Sequence, residues 1–360
     1  MTLPPTRILL VAPSLDIVGG QAVQASRLLE LLQNEPSIRV EFLPINPRLP
    51  GPLRALQEIK YLRTVVTSGT FLCKLLVKAG RFDILHSFSA GNYSFLLSAA
   101  PVVLIGRLFR KKSIVNYRDG RASQHLGQWR SSRLLRFADR IVTPSGYLVD
   151  VFARFGYQAQ SIYNVIDVER FRFRERKPVR PVFLHNRGLE QLYNVPCTLK
   201  AFGIVQQRYP DARLTIAHDG PMRAQLERMV QDMGLRNVKF VGTVPQNEVP
   251  GLYDEADIYL TSPDVDNMPG SLLECYASGL PLVATQAGGI PYIARNEETA
   301  LLVDLNDHEA MARAALRLIE EEGLAQRLAR AARLRCELYS GTAVRKDWLA
   351  LYAELRPTGA

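Results

Sequence analysis

Short runs rich in Ile, Val and Leu recur along this chain, separated by helix-patterned stretches, and the rhythm stops once and starts again. "RILLVAP" leads into a loop holding Gly19-Gly20 and then an amphipathic stretch, "QAVQASRLLELL". "VEFLPI", "DILHSFS", "SIVNY" and "RIVTPS" follow, alternating with further helical stretches. Such alternation predicts a parallel sheet covered by helices on both faces. After residue 181 it begins afresh with "PVFLHN", "ARLTIAHDG", "VKFVGTV", "DIYLTS" and "LVAT". Two open α/β domains in tandem are expected, which suits 360 residues, too many for one ordinary core. The intervening "RFRFRERKPVRP" (170–181) is charged and proline-punctuated, and reads as the linker. The late "AVRKDWLALYAEL" carries apolar residues at helical spacing.

Several function classes drop out at this point. No apolar run reaches the roughly 18 residues needed to span a bilayer; the richest, "FLLSAAPVVLIGRLF", is broken by Pro101 and Arg107. The opening segment has only about six apolar residues in a row, too few for a signal-peptide core, so the cytoplasm is the expected location. Cys73, Cys197, Cys275 and Cys336 form no C-x-x-C pair, and signal neither zinc nor a disulfide framework. The net charge of +10 is uneven: residues 1–175 hold 24 Lys/Arg against 12 Asp/Glu, and residues 176–360 hold 21 against 23. A basic first half would suit nucleic acid, anionic lipid or a phosphorylated substrate. No aromatic-basic signature of a nucleic-acid module accompanies it, so nucleic acid is not an expected partner.

The stretch "PDVDNMPGSLLECYASGLPLVATQAGGIP" (263–291) carries the chemistry. It reads as a loop after the strand "DIYLTS", a short helix "GSLLECYAS" with Pro269 in its first turn, a stop at Gly279 and Pro281, a strand, and a loop with Gly288-Gly289. In open α/β sheets ligands bind beyond the carboxyl ends of strands, where helices begin. The amino end of the 270–277 helix offers unpaired N–H groups and a partial positive charge, which attract phosphate. Glu274 lies one turn on along the same face, and Asp266 stands in the loop before it. Carboxylates there suit the hydroxyls of a sugar. Phosphate and sugar together describe a nucleotide sugar.

"DNMPGSLLECYASGLPLVATQAGGIP" also resembles the donor-site motif of the retaining glycosyltransferases of family 4: two acids separated by seven residues, then A-x-G-x-P-V-V-A-T-x-x-G-G-x-P. "RILLVAPSLDIVGGQAV" is similar to that family's first strand and Gly-Gly loop, and "SIYNVIDVERF" to its join between domains. "ARLTIAHDGPMRAQLERMV", "VKFVGTVPQNEVPGLYDEADIYLTSP" and "TALLV" follow in the family's order. The resemblance implies the GT-B fold, two Rossmann-like domains facing across a cleft. An acceptor-side domain would span 1–172, completed by a returning helix at 343–356, and a donor-binding domain 173–342. It implies no metal and no cofactor beyond the nucleotide-sugar co-substrate.

Carried over residue by residue, the resemblance places Glu274 on the ribose, Asp266 on the donor sugar with the loop backbone of Asn267 and Met268, and backbone N–H groups near Ser271 and Leu272 toward the diphosphate. Gly20 would let the first loop approach, and Arg187 would neutralise the diphosphate. Three departures stand out. Asp266 replaces a Glu, Leu192 stands where a Lys partners the Arg, and Arg118, followed by Asp119, replaces a His. Arg118 cannot act as a neutral base, so it is expected either to contact substrate or to form a structural ion pair. His86 is expected either to line the acceptor side, with Asp119, or to be an ordinary buried histidine. His218 occupies a position that commonly holds Gly in the family, and reads as a structural variant.

The expected reaction is transfer, with retention, of a sugar to an acceptor hydroxyl in polysaccharide, glycolipid or lipid-linked glycan synthesis. A front-face path is expected, without a covalent glycosyl-enzyme. The alternatives are a weakened paralogue that only binds nucleotide sugar or a partner enzyme, and a sugar-nucleotide epimerase of the same architecture. Residues 52–82, "IGRLFRKK" and "RSSRLLRFADR" interleave Lys/Arg with apolar residues, as interfacial helices do, so an anionic membrane surface and a glycan, lipid-linked or phosphorylated acceptor are the expected partners. A solvated helix face over a normal core is the competing reading. Donor base and sugar are not legible.

Overall fold

A computed structural model describes residues 4–16, 19–49, 51–57 and 59–356; Ile17 and Val18 of the first glycine loop lie outside it. The chain divides into two compact units, one formed by residues 1–165 and 341–360, the other by residues 166–340.

The first unit is built on six parallel strands: β1 (Thr6–Ala12), β2 (Ile38–Pro44), β3 (Ile84–Ser89), β4 (Lys112–Tyr117), β5 (Arg140–Thr143) and β6 (Gln160–Ser161), ordered β2-β1-β3-β4-β5-β6. Ile8 to Ala12 are wholly buried. This is why β1 reads as an unbroken apolar run: helices cover both faces of a parallel sheet. The Gly341–Glu354 helix closes this unit, burying Val344, Trp348, Leu351 and Tyr352 in one cluster with Ile8, Leu10 and Leu28. Each of its large side chains contributes about 1.5–3 kcal/mol through that burial.

The second unit repeats the plan with β7 (Val182–Asn186), β8 (Arg213–Ala217), β9 (Val238–Gly242), β10 (Ile258–Thr261), β11 (Leu282–Thr285) and β12 (Leu301–Val303), ordered β12-β11-β10-β7-β8-β9. The chain starts in the middle at β7, runs outward to β9, then returns to the other side at β10. Loops leaving β7 and β10 therefore diverge at a topological switch point, where ligands of open α/β sheets bind.

The unit boundary corrects the sequence reading. Residues 170–181 are not a free linker; they are strapped to the second unit. Arg172 pairs with Asp254 at 3.0 Å, and Arg174 and Arg180 both reach the buried Asp257 at 2.8 Å. Phe171 is buried, and the Arg174 amide donates to the Ser278 carbonyl at 3.1 Å. The change of unit falls instead at residues 165/166 and 340/341, where Ile166 and Ser340 form a parallel bridge.

Candidate functional site

The second unit gathers its polar residues at the switch point between β7 and β10. Arg187 follows β7 directly, and the 263–269 loop follows β10. Thr285 Oγ1 donates to the Pro263 carbonyl at 2.6 Å, and the Asp264 amide donates to the Leu192 carbonyl at 2.9 Å, which together hold the loop. The Gly270–Ser278 helix begins after Pro269, which is extended and sits one position before the first turn rather than in it. The helix ends where Gly279 turns left-handed at φ +64 and the Leu280 amide returns to the Cys275 carbonyl at 2.9 Å.

Two carboxylates flank this helix end. Arg187 Nη2 meets Asp266 Oδ2 at 2.5 Å, the guanidinium lies 4.2 Å from the centre of the Tyr193 ring, and Asp266 Oδ1 accepts from the Asn267 amide at 2.8 Å. Burial pushes the Asp266 carboxyl up, against the pull of Arg187. Burial works against the Arg187 charge too, but Asp266 and the neighbouring tyrosines outweigh it, so Arg187 stays protonated. Glu274 Oε2 accepts from Tyr253 Oη at 2.6 Å; Tyr253 in turn accepts from Asn186 Nδ2 at 3.1 Å, and its ring stacks on Tyr259. Burial, and then the Glu274 charge, hold the Tyr253 hydroxyl protonated. Arg187 Nε is buried without a hydrogen-bond partner among the described residues. Buried polar atoms are rarely left so, and orphans beside a helix amino end mark a place for a ligand.

The second glycine loop packs on the first acid. The Gly289 amide donates to the Asp266 carbonyl at 3.0 Å, and a Cβ on Gly289 would stand 1.8 Å from the Asn267 carbonyl oxygen. Only glycine fits there.

Arg187, Asp266, Asn267, Met268, Ser271, Leu272 and Glu274 thus come together within one unit; Asn267, Met268, Ser271 and Leu272 are buried. Tyr193, Tyr253 and Asn186 complete the arrangement and were missed from sequence. Tyr253 lies inside "GLYDEADIYL", and only its distance from Glu274 in the fold reveals the pairing.

The remaining expected residues belong to the first unit. Arg118 forms no ion pair among the described residues. It donates to Asn116 Oδ1 at 3.2 Å and to Asn164 Oδ1, with its guanidinium 5.1 Å from the centre of the Phe88 ring, and burial brings its pKa down to about 9. Asp119 does pair, with Arg121 at 3.2 Å, and accepts from the Gly91 amide at 3.3 Å, so it pins a loop. His86 is a core histidine and not an acceptor-lining one. Its Nδ1 meets Tyr352 Oη at 2.8 Å, its Nε2 meets Asn116 at 3.3 Å, and burial followed by the Arg118 charge lowers its pKa to about 3. A Cβ added to Gly20 would meet nothing within 4 Å, so no steric need for glycine arises there among the described residues.

This geometry defines a class: an open α/β unit with an anion-receptive helix end and flanking acids. Comparison with known proteins agrees with it. Residues 167–335 match the family described as glycosyl transferases group 1, and residues 18–170 match glycosyltransferase family 4. The chain is similar to the D-inositol 3-phosphate glycosyltransferase of Salinispora tropica, with 25% identity across 92% of this chain and 75% of that protein. It is also similar to the sulfoquinovosyl transferase SQD2 of Arabidopsis thaliana, with 25% identity across 82% of this chain but only 60% of that one. The fold matches that of Anabaena HepE, solved with UDP and glucose, at a TM-score of 0.73 and 16% identity over 97% of this chain and 100% of that one. The architecture is GT-B. The two matches together span residues 18–335, and over them the chain is similar to the glycosyltransferases of group 1 and family 4.

Proposed function

We propose that this protein moves a sugar, with retention and without a metal, from a nucleotide diphosphate sugar to a hydroxyl of a glycan, lipid-linked or phosphorylated acceptor. The observation that carries this reading is the convergence of Arg187, Asp266 and Glu274 on one helix end at the switch point of the second sheet. In it the diphosphate docks on the first-turn amides and Arg187, Glu274 accepts from ribose hydroxyls, and Asp266 faces the donor sugar. Asp266 is engaged by Arg187 and Asn267 rather than free to attack, which favours a front-face path in which a diphosphate oxygen helps take the acceptor proton. HepE, solved with UDP and glucose, supports a uridine donor as the first to try. Thermal-shift titration against UDP-, GDP-, ADP- and dTDP-sugars tests the reading. One of them should stabilise the wild-type protein, and Glu274→Gln should weaken that ligand by about 1.5–3 kcal/mol, roughly 10- to 150-fold in affinity. Unaltered affinity in Glu274→Gln would remove Glu274 from the ribose. Release of an epimerised sugar with no acceptor present would point to the epimerase instead.

The acceptor side is proposed for the first unit, at an anionic lipid surface. Along the Lys60–Ala79 helix, Leu62, Val65, Leu72 and Leu76 form an exposed stripe at helical spacing, while Phe71, Leu75 and Ala79 fill the core. Arg63 and Lys74 are exposed on the same helix; Arg107 and Leu108, and Arg133, Arg136 and Phe137, are exposed on two others of the same unit. An apolar stripe among cations suits the boundary between headgroups and acyl chains. A 420 Å³ pocket beside that helix is lined by Asn46, Arg63, Thr67, Ser68 and Ser94, donors suited to a hydroxylated or phosphorylated headgroup. Sedimentation with phosphatidylglycerol vesicles should exceed that with phosphatidylcholine vesicles, and Val65→Glu with Leu72→Glu should abolish it. Equal binding to both vesicles, or none, counts against the lipid surface.

A further inference from the structure

Arg187 is the cation at the helix end, and Asp266 already matches its charge at 2.5 Å. A nucleoside diphosphate brings more than one negative charge to the same place, and Leu192, further along the loop from Arg187, supplies none. The adjacent strand offers a second group. β7 and β8 pair in parallel with Asn186 opposite Ala217. The next residues, Arg187 and His218, therefore leave the carboxyl edge of the sheet side by side.

His218 is held there under strain. Its φ of +76 lies in the left-handed region, which disfavours any side chain. Its amide donates to the Gly242 carbonyl at 2.7 Å. Gly220, two residues on, packs so closely that a Cβ would stand 2.5 Å from the Leu189 carbonyl oxygen, so the loop has little room to relax. The imidazole is half-buried and makes no side-chain hydrogen bond or ion pair among the described residues. A strained backbone that presents an unpartnered polar ring beside a binding site is a feature of function more than of stability.

We propose that His218 is the second cation of this site: neutral in the free protein, it takes a proton from solvent when a nucleoside diphosphate binds and donates a ring N–H to it beside Arg187. The inference rests on the donor reading of the second unit. Burial, and then the Arg187 charge, hold the imidazole below its ordinary pKa, which keeps it neutral when the site is empty. The charged and titratable groups around it are His185 on β7 and Arg187 just after it, Asp266 across Arg187, and on its own side Asp219, which pairs with Arg223 at 3.1 Å. β9 meets it through the Gly242 carbonyl. A bound diphosphate reverses the balance and raises the pKa. Affinity should then strengthen as pH falls toward the free-state value, and weaken as pH rises through the bound-state value.

Isothermal titration of the full chain with UDP and GDP, from pH 6 to 8.5 in two buffers of different ionisation enthalpy, tests this. The nucleotide's own terminal phosphate titrates in every case, so the readout is the difference between proteins. Wild-type binding should take up an extra proton, with affinity falling up to about tenfold per pH unit between the free-state and the bound-state pKa and levelling off above the latter. His218→Gln should lose both the uptake and that slope. His218→Gly, which relieves the backbone, should lose them while raising Tm. A His218→Gln protein with the wild-type uptake and slope overturns the proposal while leaving the donor site standing. Failure of the wild type to bind UDP, GDP, ADP or dTDP removes the donor reading, and His218 with it.

Discussion

Replacing Arg187 with alanine is expected to lower kcat/KM for the donor by about 2–5 kcal/mol, roughly 30- to 5000-fold, with the fold retained. Two losses add. The leaving diphosphate loses a fixed positive partner, and Asp266, 10% exposed and paired at 2.5 Å, is left as a buried carboxylate whose remaining hydrogen bond comes from the Asn267 amide. With burial already raising the Asp266 pKa, removing the guanidinium raises it further and makes the carboxyl easier to protonate. Arg187→Lys should recover only part of the rate, because an ammonium lacks the planar fork of a guanidinium and its delocalised contact with the Tyr193 ring. Steady-state kinetics beside thermal unfolding separates the effects. A change of only a few-fold in a folded Arg187→Ala protein would take Arg187 out of the reaction.

The second large effect concerns stability. Arg176 is 2% exposed and spends its guanidinium on backbone carbonyls: Tyr253 at 2.6 Å, Arg174 at 2.7 Å, Ala256 at 3.2 Å, and Ser278. Burial lowers its pKa to about 10, still charged at neutral pH. Arg176→Ala should strand the Tyr253 and Arg174 carbonyls away from water, the Ser278 and Ala256 carbonyls keeping bonds from Arg174, and destabilise the second unit by about 3–5 kcal/mol, at about 1–3 kcal/mol for each buried acceptor left unmet. For a unit of this size that is roughly 6–20 °C in Tm. Calorimetry checks it, and a shift under 2 °C would mean the strap is not structural.

That strap shows where sequence reasoning loses its grip. Five arginines and two prolines within twelve residues look like solvated linker, because the acids that hold Arg172, Arg174 and Arg180, Asp254 and Asp257, stand about eighty residues further on. No local spacing announces such a pairing. By contrast, the Gly270–Ser278 helix was legible nearly to its ends, since Pro269 and Gly279 act through their own backbones. The strand order of both sheets was not spelled out by the apolar runs, yet the runs alone located every strand but the short β6 and β12. Glu274 and Asp266 were singled out through motif spacing. Tyr253, buried against Glu274, was not, because tyrosines fill cores as readily as sites. His86 misleads for the same reason: a histidine in a strand carries no mark of the Tyr352 hydroxyl that holds it.

The return of the Gly341–Glu354 helix to the first sheet has a consequence for synthesis. By the time Ser340 has left the ribosome, the second unit owns every residue it needs, while the first still lacks Trp348, Leu351 and Tyr352 from its interior. The half made earlier must therefore wait, with part of its apolar surface bare, until the half made after it could already be folded.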